Sequence, residues 1–428
     1  MYRRSLIFFA KLLLRFLRLT GSSGSALPGL VLEKMYPNFL SKVLKPVEKR
    51  VILVTGTNGK TTTTKMLVES LRGAGKRVVT NATGSNMTRG LIAALIEDMT
   101  YAGTLKPTDW FVFEMDEAYA PIFTQKVAPK LVLGLNVLRD QLDRYGEIDT
   151  TARLIGEAAA KADIFVYNAL DPLLHALAIS KTQATVSFGV SKKLLQNVMN
   201  EQTLHSDGLA PSYIKADVNL VDCKQIDGKM RLTVQSRKNV DSQNTLNLPL
   251  QGFHNALNAT AVVAALSALD GQNIRRYLSA LANMEVAFGR GETLHLKDKV
   301  VTVALIKNPS GFASNIKTFI QKPDTEAVLF VINDKIADGR DVSWLWDVDL
   351  RGKIAPNVHI ATSGIRGLDM AVRLKQDGYK TQTTMSVSKA IEEVFSGPAK
   401  RIVIVPTYTA LFEVREALGV YGKVPRIW

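Results

Sequence analysis

Apolar positions along this chain come mostly in short continuous runs separated by helix-like stretches. "VILV" (Val51 to Val54) leads directly into a polar glycine turn, "TGTNGKTTT", and then into a helical run that reaches Leu71. "WFVFE" (Trp110 to Glu114), "LVLGLNV" (Leu131 to Val137) and "IFVYN" (Ile164 to Asn168) repeat the theme. Such alternation predicts a parallel sheet wrapped by helices. Between about Ser187 and Leu248 polar residues dominate, and "IKADVNLVDC" and "KMRLTVQS" alternate as exposed antiparallel strands do. "NALNATAVVAALSAL" (Asn255 to Leu269) is helical in pattern. After about Thr293, "VVTVALI", "AVLFVIN", "VHIATSG" and "RIVIVPTY" read as strands between helices such as "SKAIEEVF" and "TALFEVREAL". The expected organisation is therefore an N-terminal segment 1–48, a central α/β domain 49–292 with a small, mostly β insertion at about 187–248, and a smaller α/β domain 293–428.

The N-terminal segment "MYRRSLIFFAKLLLRFLRLTG" is basic and apolar but does not read as a signal peptide or a membrane span. Lys11, Arg15 and Arg18 interrupt the apolar run, and no small-residue cleavage site follows. At helical spacing Arg4, Lys11, Arg15 and Arg18 share one stripe, while Phe9, Leu12, Leu13, Phe16 and Leu17 cover the opposite face. That predicts a basic amphipathic helix, either lying on an anionic leaflet or docked on its own domain with the basic face solvated. "GSSGSALPG" (Gly21 to Gly29) reads as a linker.

Length and charge narrow the picture. A chain of 428 residues exceeds one ordinary core. Its 46% apolar and 22% charged residues are normal for a globular protein, but a net charge of +15 points to an anionic partner: a phospholipid surface, a phosphate-bearing substrate or nucleic acid. Aromatics are sparse and do not interleave with basic residues, so nucleic acid is not expected. Cys223 is the sole cysteine, which excludes a disulfide within the chain, and the five histidines share no ligand spacing. A reducing cytoplasm fits.

The glycine turn carries the chemistry. In "TGTNGKTTT", Gly56 and Gly59 let backbone N–H groups of Thr57, Asn58 and the helix start, Thr61 and Thr62 included, converge on an anion. Lys60 can reach terminal phosphates, and Thr61 can offer its hydroxyl to Mg²⁺. Val54 stands where the first glycine of the full eight-residue P-loop falls. Glu114 ends an apolar strand, at the edge where α/β sheets bind ligands, and is the expected carboxylate for Mg²⁺. Asp116 and Glu117 are expected to begin a helix in solvent.

Further motifs carry a family resemblance. "NVLRDQLDRYGEI" (Asn136 to Ile148), "GFHNALNATAV" (Gly252 to Val262), "FGRGE" (Phe288 to Glu292) and "KNPSG" (Lys307 to Gly311) occur in the order found in Mur ligases, which the chain resembles from about Lys49 to its end. "GSALPG", "DQLDRYGEID", "NDKIADGRDVSWLWDVDL" and "YTALFEVREAL" are most similar to the Mur ligase-like subunit family of lipid II isoglutaminyl synthase. The resemblance implies a Mur ligase-like central P-loop domain, a Rossmann-like C-terminal domain, and ATP-dependent amidation of the D-glutamate α-carboxylate of lipid II at the inner face of the cytoplasmic membrane. It implies an acyl phosphate trapped by ammonia from a class I glutamine amidotransferase subunit that contacts the C-terminal domain. By the same resemblance Asn255 and Asn258 lie near the adenine, Arg290 contacts phosphate, and Asp341 of "DGRD" completes the partner's Cys-His machinery; local capping or turn roles are the alternative for each. His254 reads equally as a satisfied imidazole.

The sequence departs from that family in four places. Many members carry four cysteines in the middle domain, and Cys223 alone remains here, so no zinc is expected and packing must stabilise the insertion. Leu170 replaces the usual aspartate of "NALDP", Gln141 stands where classical Mur ligases have histidine, and Leu350 where glutamate is frequent. Two rivals stay open: a ligase adding an amino acid, of Mur or folylpolyglutamate type, and a non-catalytic nucleotide-binding scaffold.

Overall fold

A computed structural model describes residues 2–19, 27–81, 86–138, 148–180, 183–198, 212–226, 229–237, 239–271, 274–284 and 289–425. The first apolar runs form β1 (Val51–Thr55), β2 (Val78–Thr80), β3 (Trp110–Glu114), β4 (Leu131–Gly134), β5 (Ile164–Asn168) and β6 (Ala184–Val190). β7 (Val218–Ile226), β8 (Lys229–Ser236) and β9 (Asn239–Leu248) complete a nine-stranded sheet ordered β2-β3-β1-β4-β5-β6-β7-β8-β9. Pairing is parallel from β2 to β7 and antiparallel across β7, β8 and β9. β1, in the middle of the parallel part, is buried at all five positions, as a strand covered on both faces must be.

The polar stretch after Ser187 therefore extends the central sheet. Val218, Leu220, Met230, Leu232, Val234, Leu246 and Leu248 alternate inward and join the core cluster under the helix Phe253–Leu269. Cys223 pairs with Leu232 across β7 and β8 and belongs to that packing. Residues 199–211 of the insertion lie outside the described residues.

The second sheet comprises β10 (Arg290–Leu296), β11 (Lys299–Ala304), β12 (Ala327–Val331), β13 (His359–Ser363), β14 (Gln382–Thr383) and β15 (Arg401–Pro406), ordered β10-β11-β15-β12-β13-β14. Only the β10–β11 pairing is antiparallel among these strands. Because β10 begins at Arg290, the second sheet takes in Arg290, Gly291 and Glu292, placed by the sequence pattern in the central domain.

Residues Tyr2–Leu19 form the expected helix, and it is docked. Ile7, Ala10 and Leu14 are buried, and Lys11 donates to the Met99 carbonyl with its ammonium 4.9 Å from the Tyr101 ring centroid. Lys11 is thus drawn to the protein side, whereas the basic stripe was expected to be solvated. Phe8, Phe9 and Leu12 remain exposed, Phe9 at 73%. The side chains of Arg4, Arg15, Phe16, Leu17 and Arg18 lie outside the described residues. No described helix is long and apolar enough to cross a membrane.

Candidate active site

β1 ends at Thr55 and the helix Lys60–Gly73 begins five residues later, so residues 56–59 must reverse the chain tightly. Gly59 adopts φ +86°, and a Cβ there would fall 2.5 Å from Asn258 Oδ1. Glycine is required on both counts, and the contact seats Asn258 directly on the phosphate loop. Asn136, just beyond β4, pins the loop from below. It accepts from Thr57 N at its carbonyl (3.0 Å) and from Asn58 N at its side chain (2.8 Å), while its amide donates to the Asn58 carbonyl (3.0 Å). Thr57 Oγ1 accepts from Leu138 N at 3.0 Å. The loop is held from outside by Asn136 and Leu138 and from within by Lys60, which bonds the Gly56 carbonyl.

Lys60 is 7% exposed. Its ammonium donates to the Gly56 carbonyl at 2.6 Å and pairs with Glu117 Oε2 at 3.1 Å. Thr61 Oγ1 donates to Glu114 Oε1 at 3.0 Å, and Thr62 is buried beside it. Asn81 accepts from Glu114 N and donates to its carbonyl, fixing where β3 stops and hence where the carboxylate sits. A hydroxyl and a carboxylate oxygen in contact are hard donors of the kind Mg²⁺ takes, together with phosphate and water. Among the described residues no group of three or more His, Cys, Asp or Glu is poised to hold a metal, and Mg²⁺ at a nucleotide does not need one.

The expectation for Asp116 and Glu117 is corrected. They are 7% and 4% exposed, because the segment after β3 folds back over the phosphate loop instead of starting a solvated helix. Asp116 N donates to the Asn86 carbonyl.

A cleft of about 460 Å³ runs from this loop to the second domain, between Asn58, Gly59 and Asn258 on one side and Arg290, Ser314 and Lys317 on the other. Asn58 and Asn308 exchange amide hydrogen bonds of 3.1 and 2.9 Å across it, and Asn308 also caps the helix Pro309–Asn315. Burial lowers the pKa of Arg290 from its ordinary value, opposed by the negative charge of Glu114 and by Tyr408, so Arg290 faces the same region as Glu114. Asn255 donates to the Gln251 carbonyl at 2.7 Å and accepts from Asn258 at 3.4 Å, which ties the first turn of its helix to the segment before it. His254 has Nδ1 2.7 Å from Ser314 Oγ, and desolvation, then Arg290, pushes its pKa down to about 4. It is a neutral, satisfied imidazole in the cleft wall.

Leu170 packs in the core at 3% exposure, and neighbouring Asp171 takes up polar work: it accepts from Val137 N at 2.6 Å and caps the helix Pro172–Ile179. Leu350 is fully buried. Gln141, with residues 139–147, and Phe288 lie outside the described residues. Asp341 is remote in sequence and belongs to a different surface. Its carboxylate accepts from Ser343 N (2.8 Å) and Ser343 Oγ (2.9 Å) and is half-exposed. Asp338, by contrast, is buried and braces Lys335 N and Thr409 N around Gly339 at φ +86°. Exposed Ile336, Trp346, Leu368 and Val372 lie around this segment, with Arg373 5.5 Å from the Trp346 ring. Missed by sequence reasoning were Glu117, Asn81 and the clasping roles of Asn136 and Asn308, although the last two sit inside the quoted motifs.

Comparison with known proteins agrees with this geometry. A family model for the Mur ligase middle domain matches residues 54–266, and one for the MurT ligase C-terminal region matches 305–411. The chain is 31% identical over 422 residues to the lipid II isoglutaminyl synthase (glutamine-hydrolyzing) subunit MurT of Streptococcus pneumoniae (strain ATCC BAA-255 / R6), covering 92% of each. It is 26% identical to the like-named subunit of Staphylococcus aureus (strain COL), over 96% of this chain and 97% of that one. Its fold is similar to that of the MurF ligase from Thermotoga maritima in complex with ADP, with TM-score 0.69, 17% identity, and coverage of 92% and 84%.

Proposed function

The chain belongs to the Mur ligase family, in its MurT branch, and from that premise we propose that it amidates the D-glutamate α-carboxylate of lipid II. It is an ATP-dependent carbon–nitrogen ligase of peptidoglycan synthesis, and its relatives are named as one subunit of a two-component enzyme. The observation that carries the reading is that Lys60, Thr61 and Glu114 lie at the ends of β1 and β3, next to Asn58, Gly59 and Thr62, which line a cleft bordered by Arg290 and Ser314 of the second domain.

In the proposed reaction a carboxylate oxygen of the substrate attacks the γ-phosphorus, ADP leaves, and ammonia displaces phosphate from the resulting acyl phosphate. Mg²⁺ bound through Thr61 and Glu114 would neutralise charge on the transferring group. Lys60 holds the terminal phosphates, the N–H groups of residues 59–62 cradle the chain of phosphates, and Arg290 faces them from the second sheet. Asn255 and Asn258 border the nucleotide. Most ammonia is protonated at neutral pH, so a glutaminase partner should supply it in place. Cys223 cannot: burial, then Asp222, raises its thiol to about 11. We assign to Asp341 the orientation of the partner's histidine, and to the apolar surface of Ile336, Trp346, Leu368 and Val372 the contact with that partner. The exposed Phe8, Phe9 and Leu12, with a net charge of +15, support peripheral seating on an anionic leaflet.

The test is turnover of lipid II with ATP and either ammonium or single amino acids, read by mass spectrometry. A product lighter than the substrate by the exchange of a carboxyl OH for NH2, formed with ammonium alone, supports the reading. Product formed only with amino acids would replace it with an amino-acid-adding ligase.

A further inference from the structure

The charge of Lys60 in the phosphate loop is met by groups of the protein itself. Lys60 is turned back on its own loop, against the Gly56 carbonyl (2.6 Å), the Thr57 carbonyl (3.3 Å) and Glu117 Oε2 (3.1 Å). The Lys60 and Glu117 side chains are 8% and 6% exposed, so this is a buried ion pair whose partners are costly to separate unless another charge replaces one of them. A triphosphate is such a replacement for Lys60. It is the opposite for Glu117, which then stays buried, close to the phosphates and in the segment that follows Glu114 at the end of β3.

We propose that Glu117 is a positioning residue that competes with nucleotide phosphate for Lys60 and thereby makes tight nucleotide binding depend on an accompanying divalent cation. The proposal rests on the phosphate-loop reading given above and adds to it a role for one residue. Metal-free nucleotide meets the buried Glu117 carboxylate, the half-buried Glu114 carboxylate and a lysine already engaged. With Mg²⁺ the added positive charge offsets the carboxylates and Lys60 is released at lower cost. Glu117 holds Lys60 through one carboxylate oxygen, so its side-chain length as well as its charge matters.

Calorimetric titration of the full chain with ATP, once in EDTA and once in excess Mg²⁺, tests this. The parent is expected to bind metal-free ATP much more weakly than Mg·ATP. In Glu117→Gln the metal-free affinity should rise about tenfold while the Mg·ATP affinity changes less, so the ratio between the two conditions narrows. A purely structural role predicts loss in both conditions and no narrowing. Unchanged or weakened metal-free binding in Glu117→Gln overturns the proposal. Should that variant unfold by circular dichroism, Glu117→Asp, which keeps the charge one methylene farther from Lys60, must show a smaller gain in the same direction, and a loss overturns it equally. A parent that binds neither form would take the phosphate-loop reading down as well; a parent that binds both while Glu117→Gln matches it removes the clasp alone.

Discussion

The two parallel sheets end in opposite kinds of surface. At the carboxyl ends of β1, β3 and β4 the chain buries charge: Lys60, Asp116 and Glu117 are each under a tenth exposed and every one is paired. At the corresponding ends of β12, β13 and β15 the buried groups are braces, with Asp338 and Asn333 tying Thr409, Lys335 and Glu413 together. At that second edge Ile336 at 74%, Leu368 at 59% and Val372 at 53% exposure stand beside the exposed ion pair of Lys335 and Glu413. A small anion is bound by buried, preorganised donors, whereas a protein partner is bound by exposed apolar area around a few polar groups. On the proposed reading the same architecture serves two classes of ligand, and burial tells them apart.

The comparison breaks most sharply at Lys60. Lys60→Ala is expected to lower turnover by on the order of 10³-fold or more, with ammonium and with glutamine alike, because it removes a charge needed in phosphoryl transfer itself. Equal turnover in parent and variant by mass spectrometry of the product would end the distinction between the two edges. Asp341→Asn should act on one nitrogen source only. Glutamine-driven turnover in the presence of the partner is expected to fall by about 10³–10⁴-fold, while ammonium-driven turnover stays within twofold. A parallel loss with ammonium would place Asp341 in the ligase chemistry instead.

Leu368→Glu puts charge into the exposed apolar surface. The partner's affinity should weaken by tens of fold, since central apolar contacts carry about 2 kcal/mol or more, and ATP affinity should not move. Sedimentation of the mixed subunits and calorimetry of the variant alone separate these outcomes.

The smallest effect lies on the seam. The unfolded chain protonates His254 near 6.5, but the folded chain resists until about 4. The unfolded state therefore binds more protons between these values. The contribution is fully present above pH 6.5 and is lost as the pH falls towards 4, by roughly 3 kcal/mol at most. His254→Gln keeps a neutral partner for Ser314, so denaturant midpoints at pH 4.5 and 7 should lie closer together than in the parent. An unchanged gap would mean another group governs the acid sensitivity.

Much of this was legible one residue at a time. Continuous apolar runs gave the parallel strands, because a strand covered on both faces has no polar alternation to show. Gly56, Gly59, Lys60, Thr61 and Glu114 were legible because phosphate binding fixes both residue type and spacing on a strand–turn–helix. Asn136 and Asn308 stood in motifs, yet their roles were invisible: each acts through a residue 78 or 250 positions away. Glu117 was misjudged because "EMDEA" looks the same whether the chain continues into solvent or folds back over the loop.

The sequence alone determined the type of sheet, the place of the glycine loop between strand and helix, the net charge and the single cysteine, since these follow from local patterning and residue count. Only the tertiary structure decided that the β insertion lengthens the central sheet, that Lys11 and Glu117 turn inward, and that Arg290 reaches the cleft from the second sheet. Those outcomes depend on which distant surfaces meet, and the free energy of burying a charge is set by the partner it finds there.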